Sequence, residues 1–312
     1  MIFALTETIR IGVVGCGSMG ANHARIAANL PGAVLVGVVD TDSAQREKIA
    51  QSTGSQAFAT VAELLAAGID AAVVATPTVY HHPVASELLQ AGIHLLVEKP
   101  IAGTVEEARD LVALAERVDR RLTIGFVERF NPALLALKAA VKPEEIRSIA
   151  ITRAGPFPAR IGDVGIVLDL GVHDIDLIRW MAGSEITAQR ALVSRTHAVH
   201  EDSAFLQFET ESGVVASINS NWLTPFRHRR MEVATRDRFL VCDMLVRTVT
   251  EYSDYGKDGS FRQRNLFVGM TEPLRAEQLA FLASIRGEAE VAVSGTDGLR
   301  SLEIALACLA GT

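Results

Sequence analysis

Ile9-Arg10-Ile11-Gly12-Val13-Val14-Gly15-Cys16-Gly17-Ser18-Met19-Gly20, near the N-terminus, carries the strongest fold signal in the chain. An apolar run of strand length passes straight into three glycines spaced G-x-G-x-x-G, and a helical stretch follows from Ala21. A second apolar run, Val34-Leu35-Val36-Gly37-Val38-Val39, ends in Asp40, twenty residues beyond Gly20. Each part has a physical role. Gly15 permits a tight turn, Gly17 lets backbone approach a pyrophosphate, and Gly20 allows helix and strand to pack closely. The helix start, with Ser18 and Met19, offers unpaired N–H groups and a positive dipole end to phosphate. Asp40 stands where a carboxylate accepts from an adenosine ribose and repels a 2′-phosphate, which favours NAD over NADP. Arg46 nearby is the residue that would oppose this preference. A glycine triplet alone is weak among 24 glycines; the strand–turn–helix–strand–acid context is what makes it specific.

Working outward, strand-like and helix-like segments alternate through the first 125 residues. Apolar strands at Ala71–Ala75, His94–Val97 and Leu122–Phe126 are separated by helical stretches at Thr60–Ala67, Pro83–Ala91 and Thr104–Val118. Two of these open with capping boxes, Thr60-Val61-Ala62-Glu63 and Thr104-Val105-Glu106-Glu107. Continuous apolar strands between helices imply a doubly wound parallel sheet covered on both faces. Ligands of such sheets bind beyond the carboxyl ends of the strands. That points to Gly15–Gly20, Asp40, Thr76-Pro77, Glu98-Lys99-Pro100 and the segment from Glu128 to Asn131.

After about residue 130 the texture changes to strands in succession with few helices. They run at Gln189–Arg195, Ser203–Glu209, Val214–Asn221, Met231–Thr235, Phe239–Asp243 and Val246–Glu251, and helices are expected at Leu168–Met181, Pro273–Ile285 and Leu299–Ala310. This predicts an α/β chain of two domains, a Rossmann domain over 1–126 and an α+β domain on a large, mostly antiparallel sheet over 127–312. Composition agrees with a globular protein: 49% hydrophobic, 21% charged, net charge −7. The negative balance argues against nucleic acid as a partner. No apolar run reaches membrane-spanning length. The N-terminus lacks a signal-peptide pattern, and Cys16, Cys242 and Cys308 lack metal spacing, so a reduced, cytoplasmic setting is expected.

Two groups carry chemistry. Lys99, after Glu98 and before Pro100, stands at the rim where a nicotinamide would lie and can present its ammonium to a substrate hydroxyl; on position alone a surface lysine following a strand is an equal reading. Asp169 and His173, spaced i and i+4, share a helix face, so the carboxylate can orient the imidazole as a general base. His173 and Asp176 form a second possible pair. The competing reading is a helix N-terminus whose acids satisfy the dipole. A metal reading of the same cluster is weaker, with one histidine and no cysteine.

Gly15–Gly20, Asp40, Thr76-Pro77 with His81, Glu98-Lys99-Pro100 and Asp169-x-x-x-His173 occur in this order in the Gfo/Idh/MocA oxidoreductases, and the chain resembles that family over essentially its whole length. The resemblance implies hydride transfer between a nicotinamide and a secondary alcohol of a sugar or cyclitol. It also implies a homo-oligomer, dimer or tetramer, assembled through the second domain's sheet. Lys99 and His173 match its catalytic pair, with Asp169 beside them, and His81 matches a position near the nicotinamide. Gly125–Pro132, Arg153–Gly165 and Asn221–Arg230 further resemble the UDP-N-acetylhexosamine 3-dehydrogenases within the family. These prepare a 3-ketone for an aminotransferase, in some bacteria on the way to lipid A. That likeness makes Arg129, Asn131, Arg153, Arg160, Asp176, Arg227 and Arg229 candidate substrate residues, with Arg230 beside them, because a diphosphate needs cations. For any one arginine, a basic edge strand guarding against sheet pairing is an equal reading. A free-polyol dehydrogenase, an NAD-dependent glycosidase on the same fold and a non-catalytic NAD-binding sensor stay open as alternatives.

Overall fold

The structure, a computed structural model, describes residues 8–158, 164–197 and 199–311. The chain divides into two compact units, residues 1–126 with 274–299, and residues 127–273 with 300–312.

In the first unit the alternation produces β1 (Ile9–Val14), α1 (Ser18–Ala27), β2 (Ala33–Val39), α2 (Ser43–Thr53), β3 (Gln56–Phe58), α3 (Val61–Ala66), β4 (Ala71–Val74), α4 (His81–Gln90), β5 (His94–Glu98), α5 (Val105–Arg117) and β6 (Leu122–Gly125). The strands form one parallel sheet in the order β3-β2-β1-β4-β5-β6, the doubly wound arrangement. β4 and β6 are buried at every residue, as strands covered on both faces must be. The α5 start is a full capping box between Thr104 and Glu107. At α3 Thr60 caps Glu63 N–H, but the Glu63 carboxylate turns back to Ala59 N–H at 2.8 Å. β3, three residues long, is too short for periodicity to reveal.

The second unit contains α6 (Pro132–Ala140), β7 (Ile146–Pro156), α7 (Val172–Ala182), β8 (Ile186–Ser194), β9 (Ser203–Thr210), β10 (Val215–Asn221), β11 (Leu223–Thr235), β12 (Phe239–Asp243), β13 (Thr248–Ser253) and β14 (Arg262–Asn265). Its sheet runs β14-β13-β12-β11-β7-β10-β9-β8, antiparallel throughout except for the parallel pair β7–β10. One face carries the core: Ile149, Ile151, Leu206, Phe208, Ile218, Met231 and Val233 pack with Leu134 and Leu137 of α6 and Ile178 and Met181 of α7. Leu192, Phe205 and Val215 point away and are exposed, so the sheet is open on that side of the single chain. Among the described residues no helix is long and apolar enough to cross a membrane.

The expected second domain, 127–312, is corrected at 274–299. This segment, with α8 (Pro273–Ile285) and the first turn of α9 (Gly295–Ala310), belongs to the first unit. The reason is an unpaired sheet edge: Ile124 N–H donates to Val293 O at 3.1 Å, and Thr123 bridges Ser294 beside β6. Phe281 and Leu282 are buried at 2% and 1% exposure. Phe281→Ala is therefore expected to destabilise the protein by about 3–5 kcal/mol, read as a lower denaturant midpoint in the unfolding of the first unit.

Candidate active site

In the first unit, the candidate residues lie at the carboxyl ends of β1, β2, β4 and β5. Gly15 has φ +97°, and a Cβ there would meet the Ala75 backbone at 2.5 Å. A Cβ on Gly20 would lie 1.7 Å from Gly15 O, so α1 crosses β1 at a distance only glycine allows. Gly17 differs, because nothing lies within 4 Å of its would-be Cβ. Gly17 is exposed and no side chain caps the α1 N-terminus. That leaves backbone N–H groups and open space together, which is what a pyrophosphate requires. Ser18 is exposed and Met19 half-buried beside it. Cys16 is a buried spacer whose thiol is pushed up to about 12, by burial first and then by the Asp40 charge.

Asp40 is half-buried, and its oxygens accept from Cys16 N–H at 2.6 Å and Asp42 N–H at 2.9 Å. A carboxylate has further lone pairs for ribose hydroxyls. Arg46 is turned to the carbonyls of Asp40 and Thr41. After β4, the buried Thr76 hydroxyl has no hydrogen-bond partner in the structure, beside the exposed Pro77. His81, at the start of α4, has Nδ1 2.8 Å from Pro100 O and Nε2 2.9 Å from Thr76 O, so it ties the loop after β4 to the loop after β5. Burial pushes its imidazole pKa down, against the pull of those carbonyls. His82 pairs with Asp110 at 2.8 Å on the surface. The open cradle at Gly17, the orphan Thr76 hydroxyl and the Asp40 carboxylate fit an NAD molecule.

Glu98 ends β5 and precedes Lys99, whose peptide to Pro100 is cis. Its Oε1 lies 2.8 Å from His23 Nε2, and its Oε2 accepts from Lys99 N–H at 3.2 Å. Burial pushes the Glu98 carboxyl up, but His23 and Lys99 outweigh it and hold the group below the usual range. Behind it Glu277 is fully buried with neither oxygen hydrogen-bonded, and burial together with the Glu98 charge pushes it well up. Neither His23 nor Glu277 is legible in the sequence. A histidine after a glycine loop and a glutamate in a distant amphipathic helix carry no local signal of their meeting.

In the second unit, a π-helical turn, Val167–Gly171, carries Asp169 directly before α7, which carries His173. The uniform helix expected from Leu168 is thus widened where the candidate base sits, a feature frequent at functional sites. Asp169 is half-buried and His173 is 8% exposed. The N-terminus of this turn is held by Glu201, whose Oε1 accepts from Val167 N–H at 3.1 Å and whose carbonyl accepts from Ile166 N–H.

Several expected substrate residues are internal anchors instead. Arg153 is 2% exposed; its guanidinium binds Asp174 at 2.7–3.0 Å and Glu128 at 3.0 Å, and these charges hold its pKa above the ordinary value despite burial. Arg129 forks onto both oxygens of Asp176 at 2.7 and 2.6 Å. Asp176, expected as a possible orienter of His173, therefore anchors α7 to the Arg129 segment. Asn131 caps α6 at Ala133 N–H and donates to Glu128. Burial raises the Glu128 carboxyl, but Arg153 and Arg229 bring it below its usual range. On β11, Arg227 is exposed, Arg229 donates to Glu128 at 3.1 Å while staying partly exposed, and Arg230 pairs with Glu232. Arg160 lies outside the described residues. Among the described residues no group of three or more His, Cys, Asp or Glu could hold a metal ion.

Comparison with known proteins places these features in context. A model described as "Oxidoreductase family, NAD-binding Rossmann fold" matches residues 9–126, and one described as "GFO/IDH/MocA C-terminal domain" matches 145–239. UDP-N-acetylglucosamine 3-dehydrogenase of Acidithiobacillus ferrooxidans is 31% identical, over 96% of this chain and 95% of its own length. A solved structure of that enzyme superposes with a TM-score of 0.91 at 30% identity, over 97% of each chain. Inositol 2-dehydrogenase of Rhizobium meliloti is also 31% identical, over 96% of this chain and 95% of its own length.

Two measurements test the site. Gly17→Ala has φ −65° and room for the methyl, so it is expected to keep the wild-type Tm while NAD affinity by calorimetry falls about ten-fold or more, about 1.4 kcal/mol. Glu277→Gln tests the buried acid. The native state binds a proton that the unfolded chain releases above its ordinary value of 4.5, so wild-type stability falls as pH rises from there towards the raised native value. The stability gain of Glu277→Gln over wild type, read from urea midpoints, is expected to widen from pH 4.5 to neutral and alkaline pH.

Proposed function

We propose that this chain, which belongs to the GFO/IDH/MocA family of NAD-binding oxidoreductases, oxidises the 3-hydroxyl of a UDP-N-acetylhexosamine, UDP-GlcNAc, to a ketone. The ketone is then the substrate of a 3-aminotransferase, a route that leads to amide-linked lipid A. The observation that carries the reading is the cationic stretch of β11. Arg229 is held below its ordinary value by burial first, then by the charge of Arg153, with Arg227 adding to the repulsion. A nucleotide diphosphate relieves this repulsion through charge-assisted bonds; a neutral polyol does not. The full-length similarity to a UDP-N-acetylglucosamine 3-dehydrogenase supports the same reading.

In this reading Gly15, Gly17, Ser18, Met19, Gly20, Asp40, Thr76, Pro77, His81 and Glu98 frame the cofactor, and Arg227 and Arg229 face the substrate's phosphates. Bound NAD supplies the hydride acceptor. His173, oriented by Asp169, takes the proton of the 3-hydroxyl as general base. Lys99 donates a hydrogen bond to the oxygen that becomes the carbonyl, stabilising the charge that develops there. The open sheet face with exposed Leu192, Phe205 and Val215 supports assembly as a homodimer or homotetramer. A second reading, inositol oxidation, is favoured by the equal identity to the Rhizobium meliloti enzyme; the uronate of UDP-GlcNAc is a third substrate of the same chemistry.

The deciding assay follows NADH absorbance with UDP-GlcNAc, its uronate and inositol, each with NAD and with NADP, and with an aminotransferase to draw off the ketone. UDP-GlcNAc with NAD is the expected productive pair; turnover of inositol alone, insensitive to UDP, transfers the assignment to the polyol. Lys99→Ala and His173→Ala are expected to lose about 10²–10⁴ in turnover with unchanged NAD affinity. Wild-type turnover in both variants refutes their roles.

A further inference from the structure

Within the first unit, α1 and α8 bury a chain of hydrogen bonds against Glu98 that none of the steps above uses. Gln278 Nε2 lies 3.1 Å from the His23 carbonyl oxygen and 2.9 Å from His23 Nδ1. His23 Nε2 lies 2.8 Å from Glu98 Oε1, and Glu98 Oε2 receives Lys99 N–H. His23, Gln278 and Glu98 are 0%, 1% and 7% exposed, so water does not compete for these partners.

The chemistry of the partners assigns each proton. A carbonyl oxygen only accepts, so the Gln278 group that faces His23 O is the amide NH₂. The same NH₂ faces Nδ1, which makes Nδ1 the acceptor nitrogen of the ring. The ring proton then sits on Nε2 and is donated to Glu98, whose oxygen is the acceptor. In this arrangement His23 is a neutral donor with a fixed tautomer, and Glu98 is the carboxylate.

Resting on the reading of Lys99 as a catalytic residue, we propose that Gln278 and His23 are positioning residues of the hydride-transfer site. They hold Glu98 ionised and fixed in orientation, and Glu98 fixes the peptide from which the Lys99 side chain projects. The charged and titratable groups around Glu98 are His23 from α1, Glu277 from α8, His81 from α4 and Lys99 itself. Burial and the Glu98 charge push the Glu277 carboxyl well up, so the negative charge of the pair falls to Glu98. Residue 278 lies outside both regions matched by the family models, 9–126 and 145–239. The return segment thus contributes to a site whose recognisable motifs all lie elsewhere. The precision such sites need is fine: a misplacement of about 1 Å can cost on the order of a hundred-fold in rate.

The test combines a spectrum and a kinetic split on the full-length protein. Long-range ¹H–¹⁵N spectra of wild-type histidines are expected to show His23 as the neutral Nε2–H form at neutral pH. Gln278→Leu removes the donor to Nδ1, so in that variant the His23 ring is expected to lose its single Nε2–H tautomer. Turnover is expected to fall about ten-fold while NAD affinity stays within about two-fold. Gln278→Met, closer in length and flexibility, guards against a folding defect, and the wild-type spectrum needs no variant at all. An imidazolium or an Nδ1–H ring at neutral pH in the wild type overturns the chain of donors. A wild-type kcat in both Gln278 variants overturns the positioning role even with the enzyme fully active. If the wild type turns over none of the three substrates, it is the reading of Lys99 that fails, and the spectrum still decides the hydrogen bonds.

Discussion

Where α1 leaves β1, two backbones approach as closely as chemistry allows. A methyl group on Gly20 would stand 1.7 Å from Gly15 O, so the crossing exists only because neither residue has a side chain to place there. The rest of the first unit is organised by that contact. It sets α1 against a β1 flanked on both sides by parallel strands, β2 and β4. The same parallel register brings Asp40, Thr76 and Glu98, distant in sequence, to one edge of the sheet. His81 then ties two of these loops together through carbonyls on each.

The second unit solves a different problem, the placement of a helix rather than of loops. The aspartates around His173 divide the work. Asp174 and Asp176, one and three residues beyond it, engage Arg153 of β7 and Arg129, both nearly inaccessible to water. Removing one partner of such a buried pair costs about 3–5 kcal/mol because an uncompensated charge remains. Two pairs within one turn, on roughly opposite sides of the helix, fix both the rotation and the axial position of α7, and with them His173. The π-helical turn before α7, clamped by Glu201, sets Asp169 apart from this anchoring role.

This division narrows which cations are free to meet a substrate. A helix rich in aspartate and a chain rich in arginine look, in one dimension, like a general base with a diphosphate clamp. In three dimensions much of that charge neutralises itself in the interior. Of the candidate cations among the described residues, those that remain accessible lie on β11, at Arg227, part of Arg229 and Arg230. Charge is also what separates the two substrate classes suggested by the relatives, since a nucleotide sugar is anionic and inositol is not.

The alternating order of strands and helices, the glycine spacing, the acid at the end of β2 and the cap at Thr104 were all legible in the sequence, because each is governed by contacts within a few residues. The same holds for the period-two pattern of β9 and β10, from which an open antiparallel sheet follows. Partnerships across long separations were not legible. Arg153 reads equally as a ligand or an anchor until Asp174 and Glu128 are seen around it. His23 and Gln278 lie 255 residues apart and meet only because the segment 274–299 returns to close the edge beside β6. Local propensity thus determined the elements and the identity of the cofactor loops. The tertiary structure alone decided which charges are buried against one another, because desolvation depends on what surrounds a group and not on its neighbours in the chain.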